Sequence, residues 1–341
     1  MKQRAFRAKV ISGLAAAVLV LWVGGRPAAA QKPAASGLEE VLSVGGPDGD
    51  KLLMWVGLGV DDEDNMFVTD ALDYGIKVFD SRGHLIRQAG RSGNGPGEFK
   101  AIRELALSKS LVFVTDQYLP RISVFDKTLK FLYSIPLPAP VHCLRALPDG
   151  TVMLAITPVA KGEYETIWSC DSRGRTLARI HHGTDPELAT EERAAFARAG
   201  SDIILAYSHK DRLLRMDSRG KVRWVRNLND FPDAKMESYM GFKLPSHFVY
   251  KDVAVDAQGR IYVLGGTPAR HPSQDVYVLT PEGRLLTTLV LPEASHCIFL
   301  DGKGFLYSRG GEGTTVKKFK VLLPGPAPVS APAKAPSKRT P

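Results

Sequence analysis

The sequence predicts an all-β fold, a six-bladed β-propeller with four-stranded antiparallel blades and a ring closed by the N-terminal strand. Three observations predict it. Short β-branched and aromatic runs alternate with turn residues along most of the chain, the pattern returns at a nearly constant interval, and one spare strand at the start matches one missing strand at the end.

The unit is clearest over residues 59 to 99. Met66 to Thr69 and Ile76 to Phe79 are short apolar runs, and Asp64-Asn65 and Ser81-Arg82-Gly83 supply residues that tight hairpin turns tolerate. The residues ending the third strand of each unit are Asp80, Asp126, Asp171, Asp217, Thr280 and Lys320, spaced 46, 45, 46, 63 and 40 apart. A period of about 40 to 45 residues with four strands per unit is that of a propeller blade, and six anchors give six blades. A blade cannot bury both faces alone, so the sheets must stack around an axis. The sixth unit lacks a fourth strand, and Glu39 to Val44 (EEVLSV) is the piece that completes it and removes two free sheet edges.

VTDALDYGIKVFD (68 to 80) and VTDQYLPRISVFD (114 to 126) resemble the V-x-D-x-x-x-x-x-I-x-V-F-D core of the NHL repeat. GNGPGEF (93 to 99) resembles the glycine-rich connector between such repeats. The resemblance covers residues 59 to 126 closely and continues beyond as spacing and turn residues. It implies an NHL-repeat-like six-bladed propeller of the exported bacterial type. Because the matching positions are structural in that family, it implies no particular chemistry.

Residues 1 to 30 read as a signal peptide. Lys2, Arg4, Arg7 and Lys9 precede an apolar run from 10 to 23, and Ala28-Ala29-Ala30 offers a cleavage site before Gln31. The run is shorter than the ~20 residues a spanning helix requires, so no transmembrane segment is expected in the mature chain. Residues 31 to 38 form a linker, 39 to 323 the propeller, and 324 to 341 a Pro/Ala/Lys tail with nothing to bury, expected to be disordered. The expected location is periplasmic or secreted, and the expected form a monomer.

The net charge of +9 invites a nucleic-acid reading until it is located. Residues 1 to 30 hold five basic and no acidic residues, and Lys32, Lys334, Lys338 and Arg339 carry the remaining four charges. The blades are formally neutral, whereas a nucleic-acid footprint needs clustered positive charge on the folded body. Three cysteines do not organise an exported fold of this size. Cys143 and Cys297 each lie seven residues before a turn glycine (Gly150, Gly304), in blades on opposite sides of the ring, and read as buried free thiols.

Two stretches resist the repeat. Thr184 to Glu187 opens like a helix, while a blade-four strand is needed before Gly200. The expectation is a short helix near 186 to 193 and a strand near 194 to 199. Residues 229 to 247 are too irregular for a strand and rich in Phe231, Met236, Tyr239, Met240 and Phe242. Loops of that length are commonly functional, so these five residues are binding-face candidates.

The metal candidates are His142, His247 and His296, each at the start of an inner strand, where neutral imidazoles could hold zinc, copper or iron. The constellation resembles exported propeller lyases and lactonase-like enzymes, but no accompanying Glu, Asn and Asp set is evident. Trp55, Arg103 and Lys251 stand near those positions instead. Asp61 to Asp64 lacks the alternating spacing and central Gly of an EF-hand loop, and reads as a turn. No P-loop, HExxH or GxSxG occurs. The function expected is therefore a non-enzymatic binding or scaffold propeller without a cofactor, recognising an envelope or extracellular protein, peptide or glycan through its loop-rich face. The alternative is a metal-assisted hydrolase or lyase, lactonase-like or amidating-lyase-like.

Overall fold

The computed structural model describes residues 37–46, 52, 54–156, 166–181, 194–207, 212–227, 236–239, 242–245, 249–266, 273–310 and 313–323. Blade one is β2 (Trp55–Val60), β3 (Met66–Asp70), β4 (Gly75–Phe79) and β5 (Leu85–Ala89). Blade two is β6 (Ile102–Leu107), β7 (Leu111–Asp116), β8 (Arg121–Asp126) and β9 (Phe131–Pro136). Blade three is β10 (Val141–Ala146), β11 (Val152–Ile156), β12 (Thr166–Cys170) and β13 (Thr176–His181). Blade four is β14 (Ala194–Ala199), β15 (Asp202–Tyr207), β16 (Leu213–Met216) and β17 (Val222–Arg226). Blade five is β20 (Val249–Val255), β21 (Ile261–Gly266), β22 (Ser273–Leu279) and β23 (Leu285–Ser295). Blade six is β24 (Ile298–Leu300), β25 (Phe305–Gly310), β26 (Thr315–Val321) and, outermost, β1 (Leu38–Gly45). The ring closes as the spare strand requires: β1 runs antiparallel to β26 from Leu38 opposite Val321 to Gly45 opposite Thr315.

The strand at 194 to 199 is present as β14. The helix expected near 186 to 193 lies outside the described residues, which include no helix. One expectation is corrected. Residues 229 to 247 are not too irregular for strands, because β18 (Met236–Tyr239) and β19 (Phe242–Pro245) form a hairpin with Tyr239 opposite Phe242. Only two residues separate Tyr239 from Phe242 in the sequence, a spacing that period-based reading of a long irregular loop passes over.

The second strands show why the sequence folds this way. Every residue of β3 and β11 is buried, since each is covered by a neighbouring blade on both faces. That is why they read as unbroken apolar runs rather than alternating ones. The outer strands face solvent on one side and alternate, as in β17. Six apolar clusters fill the interfaces between consecutive blades among the described residues. The one joining blade six to blade one contains Val44, Leu58, Val68, Tyr307 and Val316.

Polar motif positions also have local causes. Asp116, 2% exposed, accepts backbone N–H groups from Lys100 (2.7 Å), Ala101 (3.1 Å), Tyr118 (2.8 Å) and Leu119 (3.0 Å), joining the start of the inner strand to the second-to-third loop. Asp70 does the same in blade one, binding Met54 N and Leu72 N, with Lys77 Nζ at 3.1 Å. The third-strand Asp residues cap the outer turns: Asp171 Oδ1 accepts from Arg173 N and Arg175 N, while Gly174 takes φ +85°. The glycine-rich connector is held by Arg121, which donates to the carbonyls of Asn94, Gly95 and Glu98, and it inserts Phe99 into the core. The acidic run 61 to 64 is a turn, with Asp61 Oδ1 accepting from Glu63 N and Asn65 N.

Candidate ligand site at the centre of the ring

The six inner strands bring one residue each to the same level of the channel, and pairing with the second strands fixes which. Nearest the start of the strands stand Val56, Arg103, His142, Ala194, Lys251 and His296. One residue further along stand Gly57, Glu104, Cys143, Ala195, Asp252 and Cys297. Four of these strands, β2, β6, β10 and β20, carry a register shift at this level. Bulges re-aim side chains, so consecutive residues such as Arg103 and Glu104 both reach the channel.

A cavity of about 320 Å³ lies here, lined by residues of both levels together with Gln117, Arg145, Phe299 and Arg309. At its centre Arg145 Nη2 bonds Asp252 Oδ1 at 3.2 Å, and Arg145 Nη1 lies 3.9 Å from Glu104 Oε2. Blades three, five and two thus meet through one guanidinium, which also sits 5.9 Å from the Phe196 ring centroid of blade four. Asp252 is held further by Val253 N (2.8 Å) and Ile298 N (3.1 Å). The Glu104 backbone is pinned by Thr115 Oγ1 (3.0 Å), but no hydrogen-bond donor among the described residues reaches its carboxylate. Arg103 leans on Gln117 Oε1 through Nε (3.0 Å) and Nη2 (2.6 Å). Its backbone carbonyl is held by Thr69 Oγ1 of blade one at 2.6 Å.

Burial pushes the Glu104 carboxyl up to about 7, against the pull of Arg145 and with the help of Asp252. Asp252 is raised as well, first by burial, although Arg145 opposes this. Burial pushes the Cys143 thiol up to about 12 and raises that of Cys297 further. Both are therefore neutral thiols and poor nucleophiles. All three cysteines are free.

Of the metal candidates, His142 and His296 occupy equivalent positions and both line the cavity. His247 lies outside the described residues. Among those residues no group of three or more His, Cys, Asp and Glu side chains is placed to hold a metal ion. Of the binding-face candidates, Met236, Tyr239 and Phe242 lie on the β18–β19 hairpin, while Phe231 and Met240 fall outside the described residues.

The channel carries two acidic residues near the inner-strand starts that the sequence reading did not name, Glu104 and Asp252, each one position beyond Arg103 and Lys251. Asp252 sits seven residues before Gly259, the offset Cys143 and Cys297 have from their own glycines, and that spacing would have found it. Glu104 has no such mark, because its hairpin turns through Lys109-Ser110 without a glycine. Leu72 and Tyr118, equivalent residues of the second-to-third loops of blades one and two, are 58% and 66% exposed.

No curated protein matches the chain in sequence. Among solved structures, the Cps50 (Swd1) β-propeller domain of Myceliophteria thermophila matches with TM-score 0.51 and 12% identity over 83% of this chain and 99% of that one. Virginiamycin B lyase from Staphylococcus aureus matches with TM-score 0.53 and 12% identity, covering 82% and 99%. A streptogramin B lyase matches with TM-score 0.54 and 11% identity, covering 83% and 97%. At such identities the likeness shows the fold alone. The profile of a family described as a 6-bladed beta-propeller matches residues 58–240. That span is more than half of the chain, which belongs to this six-bladed β-propeller family.

Proposed function

We propose that this is an exported, NHL-repeat-like binding propeller that recognises an envelope or extracellular partner through the face on which the inner strands begin, with its specificity set in the central cavity. The observation that carries this reading is the Glu104–Arg145–Asp252 cluster. A buried ion pair adds little net stability compared with apolar packing. The same level of the ring holds Gly57 and Ala195, which shows that a blade can meet the axis without a charge. A polar cavity of about 320 Å³ with convergent charged groups is what small-ligand recognition uses. Export is supported by the basic and apolar pattern of residues 1 to 30, and predicts a mature N-terminus at Gln31, read by intact mass of protein recovered from the periplasm or medium.

The test is a thermal-shift panel of glycans, peptides and small organic acids against the mature protein and its Glu104→Gln and Arg103→Gln variants. Saturable stabilisation that the variants lose supports a channel site. Hits equally strong in both variants place recognition elsewhere, and the β18–β19 hairpin would then be mutated next.

A catalytic reading has one observation in its favour, a Glu104 carboxyl near neutrality inside a cavity, as a general acid or base requires. Two of the similar folds are named lyases. Turnover of a panel hit that is lost in Glu104→Gln, with binding retained, would establish that reading.

A further inference from the structure

The cavity has unspent hydrogen-bonding capacity of two kinds at two depths. At the outer level, Arg103 engages Gln117 through Nε and Nη2, and its Nη1 makes no hydrogen bond among the described residues. It stands level with His142 and His296, which line the same cavity. One step deeper, the Glu104 carboxylate accepts no hydrogen bond among the described residues and is 30% exposed to the cavity. The walls between are apolar in part, from Val56, Ile298 and Phe299. Tyr118 stands exposed on the same loop as Gln117.

We infer that the cavity binds a sugar acid: a carboxylate held at the entrance by Arg103, on a ring whose hydroxyls donate to Glu104 below. This rests on the channel-site reading above and names its ligand class. A carboxylate matches a guanidinium with a free edge. The deeper group needs a donor, and two kinds exist. An ammonium would sit beside the Arg145 guanidinium, already 3.9 Å from Glu104, and be repelled by it. A neutral hydroxyl donates without that cost. The apolar face of a pyranose suits Val56 and Phe299, and Tyr118, exposed on the loop that carries Gln117, offers an aromatic surface of the kind that pairs an apolar body with a polar tip. The volume, at the low end of the range of about 300–1,000 Å³ for small-molecule pockets, suits one terminal residue of an acidic glycan rather than an internal stretch.

The experiment is isothermal titration of the mature protein with D-glucuronate, D-glucose, acetate and L-glutamate at neutral pH and low salt, repeated with Arg103→Gln, Glu104→Gln and Tyr118→Ala. The expected result is saturable glucuronate binding at least tenfold tighter than glucose or acetate. Arg103→Gln should reduce glucuronate affinity to that of glucose, and Glu104→Gln should weaken it about tenfold with unchanged circular dichroism. Tyr118→Ala should weaken it less. Glucuronate binding no tighter than glucose or acetate, or binding indifferent to Arg103, overturns the sugar-acid assignment. Tighter glutamate binding that is lost in Glu104→Gln also overturns it, in favour of an amino-acid ligand, while leaving the channel-site reading intact. If none of the four binds, the sugar acid is rejected, and the panel with the same variants decides separately whether the channel is the site.

Discussion

Asp116 gathers four backbone N–H groups from two chain segments onto one buried carboxylate, so its removal leaves all four without their acceptor. Asp116→Ala is expected to cost about 2–4 kcal/mol in urea unfolding, far more than Asp126→Ala on an exposed outer turn. Glu104 makes the opposite prediction, because its carboxyl is raised to about 7 from 4.5, so the folded chain keeps a proton that the unfolded chain would release earlier. Its contribution to stability is complete below about 4.5 and is lost as pH rises through about 7. Wild type should therefore lose more stability than Glu104→Gln between pH 5 and pH 8, by on the order of 2 kcal/mol, read from urea midpoints at the two pH values. At this scale the turn chemistry was legible in the sequence, because an Asp whose carboxylate caps the next turn acts within four residues. The channel cluster was not. Glu104, Arg145 and Asp252 are brought together by ring geometry, and the bulge in β6 brings Glu104 to the channel beside Arg103, which strand alternation does not indicate.

The blades themselves were legible because each is a local hairpin series whose buried second strand reads as an apolar run, and because its turns carry glycine at positive φ. Not all of these glycines do the same work. Gly174 and Gly304 both have φ +85°, but an added Cβ at Gly174 would meet Ile135 Cγ2 of blade two at 2.3 Å, whereas nothing lies within 4 Å of one at Gly304. Alanine at either site carries the same backbone strain, so the difference between Gly174→Ala and Gly304→Ala in thermal unfolding isolates the packing of blade three on blade two. The expected excess at Gly174 is about 1–3 kcal/mol. The β18–β19 hairpin was missed at this scale because its composition, rich in Met and aromatic residues and flanked by proline, follows neither the repeat nor a two-residue alternation.

The whole ring depends on β1, which supplies the outer strand of blade six and places Val44, 3% exposed, in the seam between that blade and blade one. Deleting residues 37 to 46 should leave β26 with an open edge and a cavity in the seam. The expected outcome is loss of the cooperative thermal transition, or a strand-exchanged dimer, distinguished by light scattering on a sizing column. Val44→Ala keeps the strand and should cost only about 1–3 kcal/mol. Six blades and their closure were legible at this scale because repeat counting needs no knowledge of contacts, whereas the axis, where all six meet, carries only a partial repeat signal, the seven-residue offset of Cys143, Asp252 and Cys297 from a turn glycine, which Glu104 lacks. The composite sixth blade also sets a clock. Leu38 and Val321 are separated by the whole length of the other five blades, and these two residues must pair for the circle to exist. Until then the chain is an open arc with two unpaired strand edges, so the ring cannot close before its last blade is present.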